Sequence, residues 1–193
     1  MVTAESIVEQ VERELVALGL CDEYFAMRRR GYQADLERLE VNDARSPLLE
    51  LGGYPFHFSR CLMRAKYEAT SIDLDPERAR PWLDTHAIPA VRCDIERDPL
   101  PQPDASIAPV VLAETFEHLR IDPLFTLREI SRVLRPDGLL YLTTPNFYRL
   151  GNVARFLLGR GLSNDPLYEY ESSTASATWA TCASTRRASS RHF

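Results

Sequence analysis

The stretch Leu48-Leu49-Glu50-Leu51-Gly52-Gly53-Tyr54-Pro55 constrains this chain more than any other. A short apolar run closing on turn residues reads as a buried strand. The paired glycines let the backbone turn tightly and come close to a ligand, where a Cβ would intrude. In an open α/β sheet, ligands bind outside the carboxyl ends of the strands, so this turn is where a nucleotide-like cofactor would sit.

The residues that follow repeat the pattern. Tyr67 to Leu74 reads as a second strand ending in acids, and Pro76 to Asp84 as a short helix limited by Pro81. Ile88 to Ile95 reads as a third strand, closing at Asp94, before a loop stiffened by Pro99, Pro101 and Pro103. Ile107 to Ala113 is a near-continuous apolar fourth strand followed by Glu114, with Pro109 best placed at its first residue. Asp122-Pro123 opens a helix whose Leu124, Leu127, Ile130, Val133 and Leu134 form one face, and Asp137-Gly138 stops it. Leu139 to Thr143 is the fifth strand. Upstream, Thr3 to Ser6 caps a helix carrying Ile7, Val8, Val11, Leu15 and Val16, with Gly19 as its stop. A second helix runs from about Asp22 to Glu40, with Tyr24, Phe25, Leu36 and Leu39 as core contacts.

Strands alternating with helices predict an α/β fold: an open parallel sheet of about five strands, flanked by helices and wound with right-handed crossovers. Residues 1–45 form an N-terminal helical cap in this reading, 46–170 the main domain and 171–193 a disordered or aberrant tail. A formal net charge of −5 gives no positive field to draw the chain to nucleic acid or an anionic membrane. No apolar run is long enough to span a bilayer, and the first residues lack a signal peptide's basic start and apolar core. The four cysteines (Cys21, Cys61, Cys93, Cys182) are scattered, which suits free thiols in a reducing cytoplasm.

An acid closes each of the first four strands in this reading: Glu50, Asp73, Asp94 and Glu114. Strand ends of a parallel sheet share one edge, so the four carboxylates are expected to converge on one crevice. Such a crevice repels phosphates and suits a ligand rich in hydroxyls, amines and positive charge.

From Ser46 to Asn152 the sequence resembles the class I S-adenosylmethionine-dependent methyltransferases, whose fold is Rossmann-like. Leu49-Glu50-Leu51-Gly52-Gly53 resembles their first motif, and Ile72-Asp73-Leu74-Asp75-Pro76 the acid that holds the ribose. Cys93-Asp94-Ile95-Glu96 resembles the segment whose acid faces the adenine amino group. Leu112 to Leu119, with Glu114, is similar to the segment after the fourth strand in many small-molecule methyltransferases. Glu129 to Gly138 resembles the helix and turn before the fifth strand. The resemblance implies S-adenosyl-L-methionine as cofactor, bound by Glu50, Gly52, Gly53, Asp73, Leu74, Asp94, Ile95 and Glu114. It also implies methyl transfer to a small-molecule or glycan-precursor acceptor.

For a hydroxyl acceptor a base is needed; His118 is the candidate, oriented by Glu117. Glu114, Glu117 and His118 also resemble a magnesium-binding segment of related O-methyltransferases, but histidine is an uncommon magnesium partner and no metal is assigned. Three departures stand out. Tyr54 and Phe56 occupy places where the family usually has glycine, the fourth strand opens Ile107-Ala108-Pro109, and the last two strands of the usual seven have no counterpart. The bulky first loop and the unusual C-terminus favour an inactive cofactor-binding remnant as the alternative. A nicotinamide-dependent oxidoreductase ranks lower, because Gly52 to His57 does not spell the G-x-G-x-x-G turn.

From Ser172 the composition shifts to Ser, Thr and Ala. Codons for Glu171 to Ala188 can be chosen so that another frame spells KLHRLGHMGHVREYTPRE, which resembles the family's segment after the fifth strand. That reading implies a frameshift near Glu171, an unpaired fifth strand as an aggregation liability, and weak or absent activity.

Overall fold

The computed structural model describes residues 2–21, 23–42, 44 and 46–145, and the tail that the frameshift reading concerns lies outside them. Two helices come first, α1 (Ala4–Ala17) and α2 (Glu23–Val41). Thr3 caps α1 by accepting the Ser6 amide on its hydroxyl at 3.2 Å. Ile7, Val8, Val11 and Leu15 make a buried stripe at helical spacing, while Val16 faces solvent. In α2 the buried side chains are Phe25, Tyr32, Asp35, Leu36 and Leu39, and Tyr24 is exposed.

The sheet follows: β1 (Leu48–Leu51), β2 (Ala69–Asp73), β3 (Ala90–Arg92), β4 (Ile107–Ala113) and β5 (Leu134–Thr143). Its order is β3-β2-β1-β4-β5 with every pairing parallel, so the chain winds outward from β1 in both directions. This is the Rossmann-like sheet expected from the sequence. Side chains alternate across β1: Leu48 joins the core under α1, α2 and α3 (His57–Arg64), whereas Leu49 and Leu51 join the core under α5 (Pro123–Val133). Both faces are therefore covered, as parallel strands require. Trp82 and Leu83 of α4 (Arg80–His86) complete the first core.

The two N-terminal helices share that core with sheet residues Leu48, Ala69, Val111 and Tyr141. Glu14 ties α1 to α3 by accepting from Arg60 at 2.8 Å and pairing with Arg64. Residues 1–144 form one compact unit.

Several expectations change. Helix α5 ends at Val133 rather than at Asp137-Gly138, Leu134 already belongs to β5, and Leu124 is exposed. Helix α3 was not expected from the sequence: it is eight residues long, follows Phe56 and lacks a capping side chain. Pro81 does not limit a helix but opens α4, sitting in its first turn where no amide partner is needed. The third strand is only three residues long. Pro109 lies inside β4, at an irregularity where Ile107 pairs with Leu134 but Pro109 with Leu139, so residues 135–138 bulge from β5. Among the described residues no helix is long and apolar enough to cross a membrane.

Candidate active site

The turn after β1 is stitched to β2. The Gly52 and Gly53 amides both donate to the Ile72 carbonyl, at 2.8 and 3.1 Å. Gly52 has φ +74°, and a Cβ there would stand 2.5 Å from Thr115 Oγ1. A Cβ on Gly53 would stand 2.8 Å from the Phe56 ring. The glycines thus admit two close approaches, one from the turn after β4 and one from Phe56. Phe56 keeps the left-handed backbone (φ +65°) that a glycine adopts freely, and its fully buried ring anchors the loop. Tyr54 turns outward instead, with the Arg78 guanidinium 4.0 Å from its ring centre. The two bulky departures from the family motif differ in burial, Phe56 fully buried and Tyr54 41% exposed, and their rings meet edge to face with centres 6.4 Å apart.

Asp73 closes β2. Its Oδ2 accepts the Tyr54 amide at 3.0 Å and its Oδ1 the Asp75 amide at 2.9 Å. Two backbone donors fix the carboxylate, and each oxygen retains capacity for another donor. Beside it Leu74 is 55% exposed, an apolar side chain with no core to enter. Past β3, Asp94 accepts the Glu96 amide at 3.1 Å and pairs with Arg97 at 3.5 Å. Ile95 packs on the second core, and its carbonyl accepts the Thr126 hydroxyl at 2.8 Å.

Glu50 does not join this edge. It lies within β1, in register with Ser71 of β2, and is 4% exposed. Its Oε2 accepts hydroxyls from Ser59 of α3 at 2.5 Å and Ser71 at 2.6 Å. Burial pushes its carboxyl up to about 7 against those two hydrogen bonds. The expected convergence of four acids on the crevice is thus corrected: Glu50 lies one position short of the strand end and is spent fastening β1, β2 and α3.

Glu114, after β4, takes a positive φ of +52° and pairs with Arg28 of α2 at 3.6 Å. Arg28 also bonds Asp35 at 3.4 Å, and the Tyr141 hydroxyl donates to the other Asp35 oxygen at 2.7 Å. Burial raises the Asp35 carboxyl, opposed by Tyr141 and the arginines. The sequence did not mark Arg28, Asp35, Tyr141 or Thr115. The one available signal was Gly31 in mid-helix: a Cβ there would lie 3.0 Å from Arg28 Nη1. Such a glycine costs about 1 kcal/mol against alanine, and here it makes room for the guanidinium.

In the short 3-10 turn 116–118, Glu117 Oε2 is buried with no hydrogen-bond partner, and burial raises the carboxyl. The His118 ring is 72% exposed, with Nε2 4.0 Å from Glu117 Oε1, beyond hydrogen-bond reach. Among the described residues no cluster of three or more His, Cys, Asp or Glu is placed to hold a metal. The partly open Asp73 carboxylate and the exposed Leu74 beside it fit a ribose and an apolar base.

Residues 49–142, just under half of the chain, match the model of a family described as the methyltransferase domain. No curated protein matches significantly. Among solved structures, an S-adenosylmethionine-dependent methyltransferase from Thermotoga maritima is 16% identical with a TM-score of 0.56, over 83% of this chain and 77% of that one. Another, from Archaeoglobus fulgidus, is 16% identical with a TM-score of 0.53, over 77% and 71%. The PH0226 protein of Pyrococcus horikoshii is 20% identical with a TM-score of 0.51, over 62% and 57%. The chain spans about half the length of several structures it matches, at 48%, 57% and 44%. At such identities the structural likeness speaks for the fold. The chain has the Rossmann-like fold of these S-adenosylmethionine-dependent methyltransferase structures, and its residues 49–142 are similar to the methyltransferase-domain family.

Proposed function

We propose that this protein transfers a methyl group from S-adenosylmethionine to a small-molecule or glycan-precursor acceptor in the cytoplasm. The observation that carries the reading is Asp73, held at the end of β2 by two backbone amides with its remaining lone pairs open. S-adenosylmethionine, when bound, supplies an electrophilic methyl group on a sulfonium centre. Asp73 accepts the ribose hydroxyls, Leu74 and Ile95 flank the base, and Asp94 faces its amino group. Gly52 and Gly53 keep the turn thin beside them.

A hydroxyl acceptor must lose its proton, and Glu117 is the group to take it. Its buried, unpartnered Oε2 and raised carboxyl suit a base, which needs a proton affinity near the working pH. His118, mostly exposed and 4.0 Å from Glu117, stands outside hydrogen-bond reach of it and is the lesser candidate. This reverses the roles expected from the sequence alone. The frameshift near Glu171 belongs to the same proposal, and resequencing the locus tests it: tail codons that yield no family-like peptide in another frame would end it. Calorimetric titration with S-adenosylhomocysteine tests the cofactor, and absence of binding would refute the function.

A further inference from the structure

An open cleft of about 500 Å³ lies between one face of α2 and the carboxyl ends of β4 and β5. Arg28, Asp35, Arg38, Glu114, Tyr141 and Thr143 line it. Its size is that of a small-molecule site, and it opens on the sheet edge where α/β proteins bind ligands.

Three features show that its polar groups are held for a purpose. Glu114 adopts a left-handed backbone (φ +52°), a strained conformation for a non-glycine residue. Gly31 gives up helix propensity to seat the Arg28 guanidinium against the helix. Two polar atoms of its lining, Arg28 Nε and Thr143 Oγ1, are buried without a partner among the described residues, although native structures rarely leave such atoms unsatisfied. The Nε–H of Arg28 can only donate, whereas the Thr143 hydroxyl donates or accepts.

The charges on the lining balance. Arg28 and Arg38 face Asp35 and Glu114, and Arg28 stands within 3.6 Å of both carboxylates. An anionic ligand would meet Asp35 and Glu114 as like charges, and a cationic one would meet the two arginines. Like-charge juxtaposition in a binding site selects against a ligand. A hydroxyl meets both requirements, because it accepts from a guanidinium N–H and donates to a carboxylate such as Glu114.

We propose that this cleft is the acceptor site, and that it selects a neutral, polyhydroxylated molecule of saccharide type through Arg28, Glu114 and Thr143. The inference rests on the methyltransferase reading above and narrows its acceptor class.

The test is saturation-transfer NMR on the full chain with S-adenosylhomocysteine bound. The probes are D-glucose, D-mannose, D-galactose and N-acetyl-D-glucosamine, with malonate and ethanolamine as the anionic and cationic comparisons. At least one saccharide should bind saturably, and neither charged probe should compete with it. Arg28→Leu should weaken that binding at least tenfold with S-adenosylhomocysteine affinity unchanged. Gly31→Ala serves as a second variant that keeps the fold: it should raise the melting temperature or leave it unchanged, yet weaken the saccharide by displacing the guanidinium. Preference for malonate or ethanolamine overturns the proposal, as does saccharide binding that neither variant affects. Binding of S-adenosylhomocysteine with no saccharide uptake overturns this proposal alone. Absence of S-adenosylhomocysteine binding overturns the methyltransferase reading, and this proposal with it.

Discussion

The Cα of Gly52 faces the Thr115 side chain so closely that a Cβ would lie 2.5 Å from its Oγ1 and Cγ2. The contact locks the turn after β1 to the turn after β4, and the Thr115 hydroxyl lies within hydrogen-bond range of the Leu51 carbonyl at 3.3 Å. Gly52→Ala should therefore destabilise the fold by about 2–4 kcal/mol, from left-handed strain and overpacking together. Adding Thr115→Ser should recover part of the loss, since it removes Cγ2. Urea denaturation of the single and double variants measures this. Two variants of equal stability would show that the clash is not what matters.

Glu50 carries a pH signature. Its folded carboxyl stands at about 7, above its ordinary 4.5. Between those values the folded state holds a proton that the unfolded chain has released. The stability from the neutral carboxyl is thus complete below about 4.5 and lost as pH rises to about 7. The loss is about 3 kcal/mol at 1.36 kcal/mol per pH unit. Glu50→Gln should remove this dependence, so that the variant gains on the parent from pH 4.5 to 7 in denaturation series. Parallel curves for the two proteins would mean that Glu50 ionises freely when folded.

Glu117 and His118 separate by substitution. Glu117→Gln should lower turnover by roughly 10²–10⁴-fold with cofactor affinity intact, and His118→Ala should lower it far less. Activity of the parent should rise with pH through a value above the ordinary glutamate range, because only the ionised Glu117 accepts a proton. The reverse ranking, measured as methyl transfer from labelled cofactor, would return the base to His118.

The sheet was legible because its information is local. Apolar runs ending in an acid or a glycine mark β1, β2 and β4, and Asp122-Pro123 marks α5. Helix α3 was not, because it is only eight residues long and Phe56 offers no capping oxygen. Glu50 was misplaced for a different reason: one residue of register decides whether a side chain faces a neighbouring helix or the sheet edge. The Arg28–Asp35–Glu114–Tyr141 network joins residues up to 113 apart in sequence, and no spacing rule reaches that far. Only Gly31, out of place in a helix, hinted that α2 serves more than packing.

The most direct measurement is calorimetric titration of the parent, Asp73→Ala and Asp75→Ala with S-adenosylhomocysteine, alongside NAD. The parent should bind S-adenosylhomocysteine and ignore NAD. Asp73→Ala should lose about 1.5–3 kcal/mol of binding, the range for hydrogen bonds to a charged group, while Asp75→Ala should change it little. Equal losses at the two positions, or binding of NAD in place of S-adenosylhomocysteine, would contradict the assignment of this sheet edge to S-adenosylmethionine.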